Sequence, residues 1–303
     1  MKVPASETLV LGQDEGRPIR MVYRDSHTPA PAPVLLLLHG LFDQGTTWDR
    51  VWPLLVDRFR LVAPDLVGFG ASSKPRLPQC PPDQRYSLAM HAGHLVQLIG
   101  HLGLERVALV GNSLGGGLAL YLWCVYPQLR PAISGLALLD PACYPQPLPG
   151  YVRQVAGWPG ALLDQRPLLW LAFRLGLTRH LVSRTLRRCF ANPACIPPDA
   201  VDQAVARLRE PGVSYAYRSA ARNLLPPGWA ALLCRYREVS CPVLVLWGEQ
   251  DQVVPALFAG RLQADIPHAL VRLIPGCGHA PQLECPALVA QVLAAWGRKG
   301  DET

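Results

Sequence analysis

The sequence predicts an α/β fold: one doubly wound, mostly parallel sheet of eight strands, with a helical cap inserted after the sixth. Three observations carry this. Short aliphatic runs alternate with stretches of helical period as far as residue 140, the alternation breaks over residues 141–240, and it then resumes. Uninterrupted aliphatic runs read as strands buried on both faces, and helices between them imply right-handed crossovers onto both sides of one sheet.

In chain order, residues 8–11 and 19–24 read as edge strands, followed by a Pro-rich joint at 29–33. Residues 34–38 are a strand, 48–56 a helix, 60–63 a short strand, 88–102 a helix and 106–110 a strand. The helix after Ser113 is expected over 114–126, ended by Pro127, and residues 133–139 form the sixth strand. From Pro141, Pro and Gly are dense, strand signals are missing, and 168–175 and 200–208 carry helical period. Strands at 243–247 and 270–274 and helices at 256–264 and 286–296 complete the pattern. Residues 1–140 and 241–303 therefore make the core and 141–240 the cap, with no internal repeat and no low-complexity tract.

Half of the 303 residues are apolar and 17% are charged, enough for a large core and unlike a disordered chain. Residues 1–20 lack an apolar signal core, and the longest clean aliphatic run, 34–38, falls far short of the ~18 residues that a span requires. The expectation is no signal peptide and no membrane-spanning helix. Nine scattered cysteines without metal spacing fit reduced thiols and a cytoplasmic location, and neither a metal nor a cofactor is expected. The net charge of +7 is local: residues 151–240 hold thirteen Arg and no Lys against five acids. A solvated face is the plain reading of that cluster, although it also admits peripheral contact with anionic headgroups. No stacking motif accompanies the arginines, so nucleic acid is not an expected partner. His91, His94 and His101 read as a solvated helix face, with no carboxylate or thiol to complete a metal site.

The chemistry concentrates in Gly111-Asn112-Ser113-Leu114-Gly115, a G-x-S-x-G between a strand and a helix. A nucleophile on so sharp a turn needs small neighbours two residues either side, and the following helix N-terminus favours developing negative charge. The plain alternative is an ordinary N-cap. A serine at its free pKa is a weak nucleophile, so the reading requires a base and a group to orient it. His279, after the 270–274 strand, and Asp251, after the 243–247 strand, both leave the carboxyl edge of the sheet, where open α/β folds place their sites. The order Ser, Asp, His also fits. Oxyanion donors are expected from the N–H groups of Leu114 and Leu41, with Phe42 as the next choice, while His39 reads as structural.

On these motifs, together with His39-Gly40, the segment 64–72 and Gly278-His279, the chain resembles the α/β-hydrolase superfamily, in particular its cap-bearing members. The resemblance covers nearly all of residues 17–298. It implies a lid after the sixth strand, a structural turn at Asp65, Gly68 and Gly70, and Asp140 as an alternative acid. Ser113 stands where dehalogenases and epoxide hydrolases of this group carry Asp, which argues against those two reactions. The expected activity is hydrolysis of a small or medium apolar carboxylic ester through an acyl-enzyme. Carbon–carbon bond hydrolysis by the same residues and a non-catalytic ligand-binding homologue are the alternatives. Trp158, Trp170, Phe173 and Tyr151 are expected to wall the pocket.

Overall fold

Side chains alternate in direction along a strand, so an unbroken aliphatic run feeds two cores at once. The computed structural model describes residues 4–157 and 166–299. Its strands are β1 (Ser6–Asp14), β2 (Arg17–Asp25), β3 (Val34–Leu38), β4 (Arg60–Pro64), β5 (Val107–Asn112), β6 (Ile133–Leu139), β7 (Val243–Gly248) and β8 (Leu270–Ile274). Leu36, Leu38, Leu109, Leu138 and Val245 enter one hydrophobic cluster, while Leu35, Leu37, Val110, Leu139 and Leu246 enter the other. Both faces of the sheet are therefore covered.

The strands form one eight-stranded sheet in the order β1-β2-β4-β3-β5-β6-β7-β8. β1 pairs antiparallel with β2, β2 pairs antiparallel with β4, and the remaining pairs are parallel. β2 is thus an interior strand and not the edge expected from its polar composition; its pairing with β4 occupies only Tyr23, Arg24 and Asp25. The chain runs outward from β3 to β4 on one side, whereas β5 lies on the other. This reversal opens a crevice at the carboxyl ends of β3 and β5, the usual ligand position in such sheets. The register places Leu38 opposite Gly111, so the turns after these two strands meet.

The helix expected over 48–56 is instead a 3₁₀ turn, Gly45–Trp48, followed by the short α1 (Trp52–Leu55). Pro53 has no N–H to bond the Asp49 carbonyl, so one continuous helix cannot form. Helix α2 (Leu88–His101) starts at Ser87, whose hydroxyl accepts from the Met90 N–H at 3.2 Å. α3 (Leu114–Val125) follows Ser113. Between β6 and β7 lie α4 (Gly150–Ala156), α5 (Arg166–Arg174), α6 (Leu177–Cys189), α7 (Ala200–Leu208), α8 (Val213–Arg222) and α9 (Trp229–Cys234), with no strand among the described residues. α8 turns Ala216, Tyr217, Ala220 and Ala221 inward, and the Tyr217 ring stacks on Phe69 at 5.4 Å. α10 (Leu257–Asp265), α11 (Pro281–Glu284) and α12 (Pro286–Lys299) complete the chain. Among the described residues no helix is long and apolar enough to cross a membrane.

The histidines of α2 correct the sequence reading. His101 is exposed, but His91 is fully buried beside Phe69 and Tyr86, and neither of its ring nitrogens has a hydrogen-bond partner among the described residues. His94, one turn of helix further on, is half-buried, and its Nδ1 also has no hydrogen-bond partner among the described residues. Burial, reinforced by the nearby His94 and His39, pushes the His91 pKa down to about 3; burial lowers His94 to about 4. Unfolding therefore takes up protons below pH 6.5, and the stability present above that pH is lost as the pH falls toward 3. Between pH 7 and pH 4 His91 alone is expected to remove about 3 kcal/mol. Denaturant titrations at both pH values should show this loss, and a His91→Leu variant should lose much less; an unchanged pH slope in the variant would refute the assignment.

Candidate active site

The turns after β3, β5, β7 and β8 converge at the carboxyl edge of the sheet. Ser113 stands between β5 and α3 with φ 54° and ψ −115°, a conformation strained for any residue with a Cβ. Its N–H is held by the Leu139 carbonyl at 2.9 Å. A Cβ on Gly111 would overlap the Gly115 backbone, and one on Gly115 would overlap the Leu38 carbonyl, so the spacing of the two glycines is a steric requirement. The serine side chain lines a cavity of about 500 Å³.

His279 lines the same cavity. Its Nδ1 lies 2.7 Å from Asp251 Oδ2, and its N–H donates to the Cys189 carbonyl at 2.7 Å. The other Asp251 oxygen, Oδ1, accepts the Val253 and Val254 N–H groups at 2.7 and 3.0 Å, while the Trp247 indole donates to the Val254 carbonyl. With Asp251 Oδ2 as acceptor, Nδ1 carries the ring proton and Nε2 presents its lone pair. Among the described residues neither Nε2 nor Ser113 Oγ is hydrogen-bonded to protein.

Asn112 and Gln282 tie the two loops together. Asn112 Nδ2 donates to the His279 carbonyl at 3.0 Å and to the Leu139 carbonyl at 3.1 Å, joining the serine turn directly to the histidine loop. Gln282 Nε2 reaches Thr47 Oγ1 at 3.0 Å and Asn112 Oδ1 at 3.2 Å. Glu284 adds a further clasp: it accepts from Gly278 N–H at 2.6 Å and from Asn192 N–H at 2.8 Å, binding the histidine loop to the inserted segment. Sequence reasoning missed all three residues. Gln282 and Glu284 gave no periodic signal, since α11 is a single turn that begins with a proline.

Asp140 is also buried here, with φ 46°. Its Oδ1 accepts the Gly248 N–H at 2.8 Å, and its Oδ2 has no partner among the described residues. Burial, and secondarily the adjacent Asp251, raises its pKa well above the usual carboxylate range. Of the two candidate acids, Asp251 is the one hydrogen-bonded to the imidazole.

Gly40, Leu41, Phe42 and Leu114 line the cavity around Ser113. Leu114 is the first residue of α3, so its N–H has no carbonyl of the same helix four residues back. The loop is shaped by His39, whose Nε2 accepts the Leu66 N–H at 3.0 Å while Nδ1 lies 2.8 Å from the Gly40 carbonyl. Tyr217 stacks on Phe42 at 4.8 Å, which places α8 against this loop. Asp65 fastens the region from behind, its two oxygens accepting the Gly45 and Ala71 N–H groups at 2.7 Å each. Gly68 and Gly70 have φ 98° and 50° in the same turn.

The inserted segment supplies much of the wall through Leu148, Tyr151, Leu186, Phe190 and Leu224. Tyr151 is where the sequence placed it. Trp170 and Phe173 are not: both line a separate surface cavity, and no described residue of α5 lines the main one. Trp158 lies outside the described residues. Asp43 and Arg207 also face the main cavity, and burial raises the Asp43 carboxyl above its ordinary range.

Residues 33–286 match a family model described as the alpha/beta hydrolase fold. An uncharacterised protein of Mycobacterium tuberculosis (strain ATCC 25618 / H37Rv) is 31% identical over 267 residues, covering 84% of this chain and 72% of its own length. A 2-hydroxymuconate semialdehyde hydrolase of Pseudomonas sp. (strain CF600) is 28% identical over 286 residues, covering 93% and 92%. Among solved structures, a thermophilic esterase from Thermogutta terrifontis superposes with a TM-score of 0.73 at 25% identity, over 98% of this chain and 99% of that one.

Proposed function

The chain belongs to the alpha/beta hydrolase fold family, and from that premise we propose that it is a serine hydrolase cleaving a carboxylic ester or related acyl substrate. The observation that carries the reading is the 2.7 Å contact of His279 Nδ1 with Asp251 Oδ2 beside a cavity that Ser113 shares. Asp251 fixes the tautomer in which Nε2 can take the Ser113 proton. Ser113 Oγ then bonds to the acyl carbon, and the carbonyl electrons move to an oxygen met by the Leu41 and Leu114 N–H groups. His279 returns the proton to the leaving alcohol as its C–O bond breaks. Water, deprotonated by the same ring, releases the acid from the acyl-enzyme. The insert at 141–240 acts as the cap over this chamber. A cavity of about 500 Å³ with leucines and aromatics on its wall suits a small or medium apolar acyl group.

Arg207 favours a second reading, because a guanidinium in the cavity suits a substrate bearing a carboxylate. The likeness to a 2-hydroxymuconate semialdehyde hydrolase points the same way, toward carbon–carbon bond hydrolysis by the same three residues. Assays with p-nitrophenyl esters of graded length and with vinylogous diketones separate the two.

Labelling with a fluorophosphonate tests the shared premise. The probe is expected to form a mass-shifted adduct on Ser113 that is missing in Ser113→Ala. Folded wild-type protein that forms no adduct would point instead to a non-catalytic binding protein.

A further inference from the structure

Arg174 and Arg209 of the inserted segment share one surface with several of its exposed apolar side chains. On α5, Trp170, Arg174, Leu171 and Leu168, with Leu175 just after it, fall on one arc of about 160° at the helical repeat. Trp170 is 57% exposed and Leu175 63%; Leu168, Leu171 and Leu177 are exposed as well. An amphipathic helix ordinarily buries its large apolar residues, so this run is a face without a partner among the described residues.

The flank of that face is a cavity of about 750 Å³ that contains cations seated on aromatic planes. Arg174 lies over Trp170 at 4.8 Å, Arg209 over Phe173 at 4.9 Å and Arg76 over Tyr215 at 5.0 Å. None of these three guanidinium groups is paired with a carboxylate among the described residues. Among the described residues the one acid lining the cavity, Glu210, is taken by Lys74 at 2.8 Å. Arg184, Arg187 and Arg188 on the next helix, α6, are exposed as well. Residues 151–240 as a whole carry thirteen Arg against five acids.

We propose that this face docks on an anionic phospholipid surface, with Trp170, Leu171 and Leu175 entering the headgroup boundary and Arg76, Arg174 and Arg209 holding lipid phosphates. Charge complementarity selects the partner: unpaired guanidinium groups bind phosphate in a fork geometry, and leucines beside them gain only where hydrocarbon lies beneath the phosphates. Nucleic acid would offer the phosphates but no home for four leucines. A second copy of the chain would set arginine against arginine. The inference is independent of the catalytic reading, since none of the docking residues lines the Ser113 cavity.

Co-sedimentation with vesicles of phosphatidylcholine alone, and with phosphatidylglycerol added, tests it on the full chain. Binding is expected only with the anionic vesicles and should weaken as salt is raised. Arg174→Gln with Arg209→Gln should weaken it about thirtyfold, and Trp170→Ser with Leu171→Ser at least tenfold. All variants should keep wild-type circular dichroism and unchanged turnover of a soluble ester. Equal binding to both vesicle types, no binding to either, or a wild-type dimer that Trp170→Ser dissociates would each overturn the proposal.

Discussion

Ser113→Ala is expected to cut turnover of an ester substrate by about 10⁶ while leaving the fold in place. The size of the loss follows from the chemistry, because without an oxygen nucleophile the imidazole and the oxyanion donors have no bond-forming step to assist. The intact fold follows from the contacts. Among the described residues Ser113 Oγ makes no hydrogen bond to protein, and alanine keeps the Cβ that the backbone already accommodates at φ 54°. The melting temperature should move by no more than a few degrees. Ser113→Gly provides the complementary measurement: glycine releases a strain on the order of 1–3 kcal/mol, so that variant should be inactive and more stable. A Ser113→Ala protein that keeps even a hundredth of wild-type turnover would show that the nucleophile lies elsewhere.

Much of the fold was legible because its signals are local. β3, β6 and β8 occupy the predicted residues, since an aliphatic run bounded by Pro, Gly or charge has few other uses. The serine turn was legible for a steric reason, each glycine of Gly111-Asn112-Ser113-Leu114-Gly115 facing backbone where a Cβ would overlap it. The position of β2 inside the sheet was not legible, because strand order depends on long-range pairing that polar residues such as Arg17 and Arg20 disguise.

Side-chain partnerships across distant loops were less legible still. Asn112, Gln282 and Glu284 join segments up to 235 residues apart, and no spacing in the sequence announces such a link. The histidines of α2 misled for a related reason. His91 looks polar, but it is buried against Phe69, from the loop after β4, and Tyr86, which folds back from just ahead of the helix. Likewise the helical period of α5 forecast a helix but not which way its aromatic side would face, so Trp170 and Phe173 were placed at the wrong cavity.

Asp251→Asn is expected to lower kcat by about 10⁴ while Asp140→Asn lowers it less than tenfold. The two carboxyl groups approach the same imidazole closely, with Asp140, Asp251 and His279 each offering an atom within 4.8 Å of the others. Their roles separate on protonation and contact. Asp251 Oδ2 accepts the Nδ1 proton, and an asparagine amide there would donate to Nδ1, pushing the ring proton to Nε2 where it blocks uptake from Ser113. Burial favours the neutral form of Asp140, which the isosteric asparagine mimics, and the amide oxygen can still accept the Gly248 N–H. Steady-state kinetics of both variants on one ester, with near-identical melting temperatures as the control for folding, decide the matter. If Asp140→Asn carried the large loss and Asp251→Asn were nearly silent, the orienting acid would sit at the end of β6 and the acid assigned from the loop after β7 would be wrong.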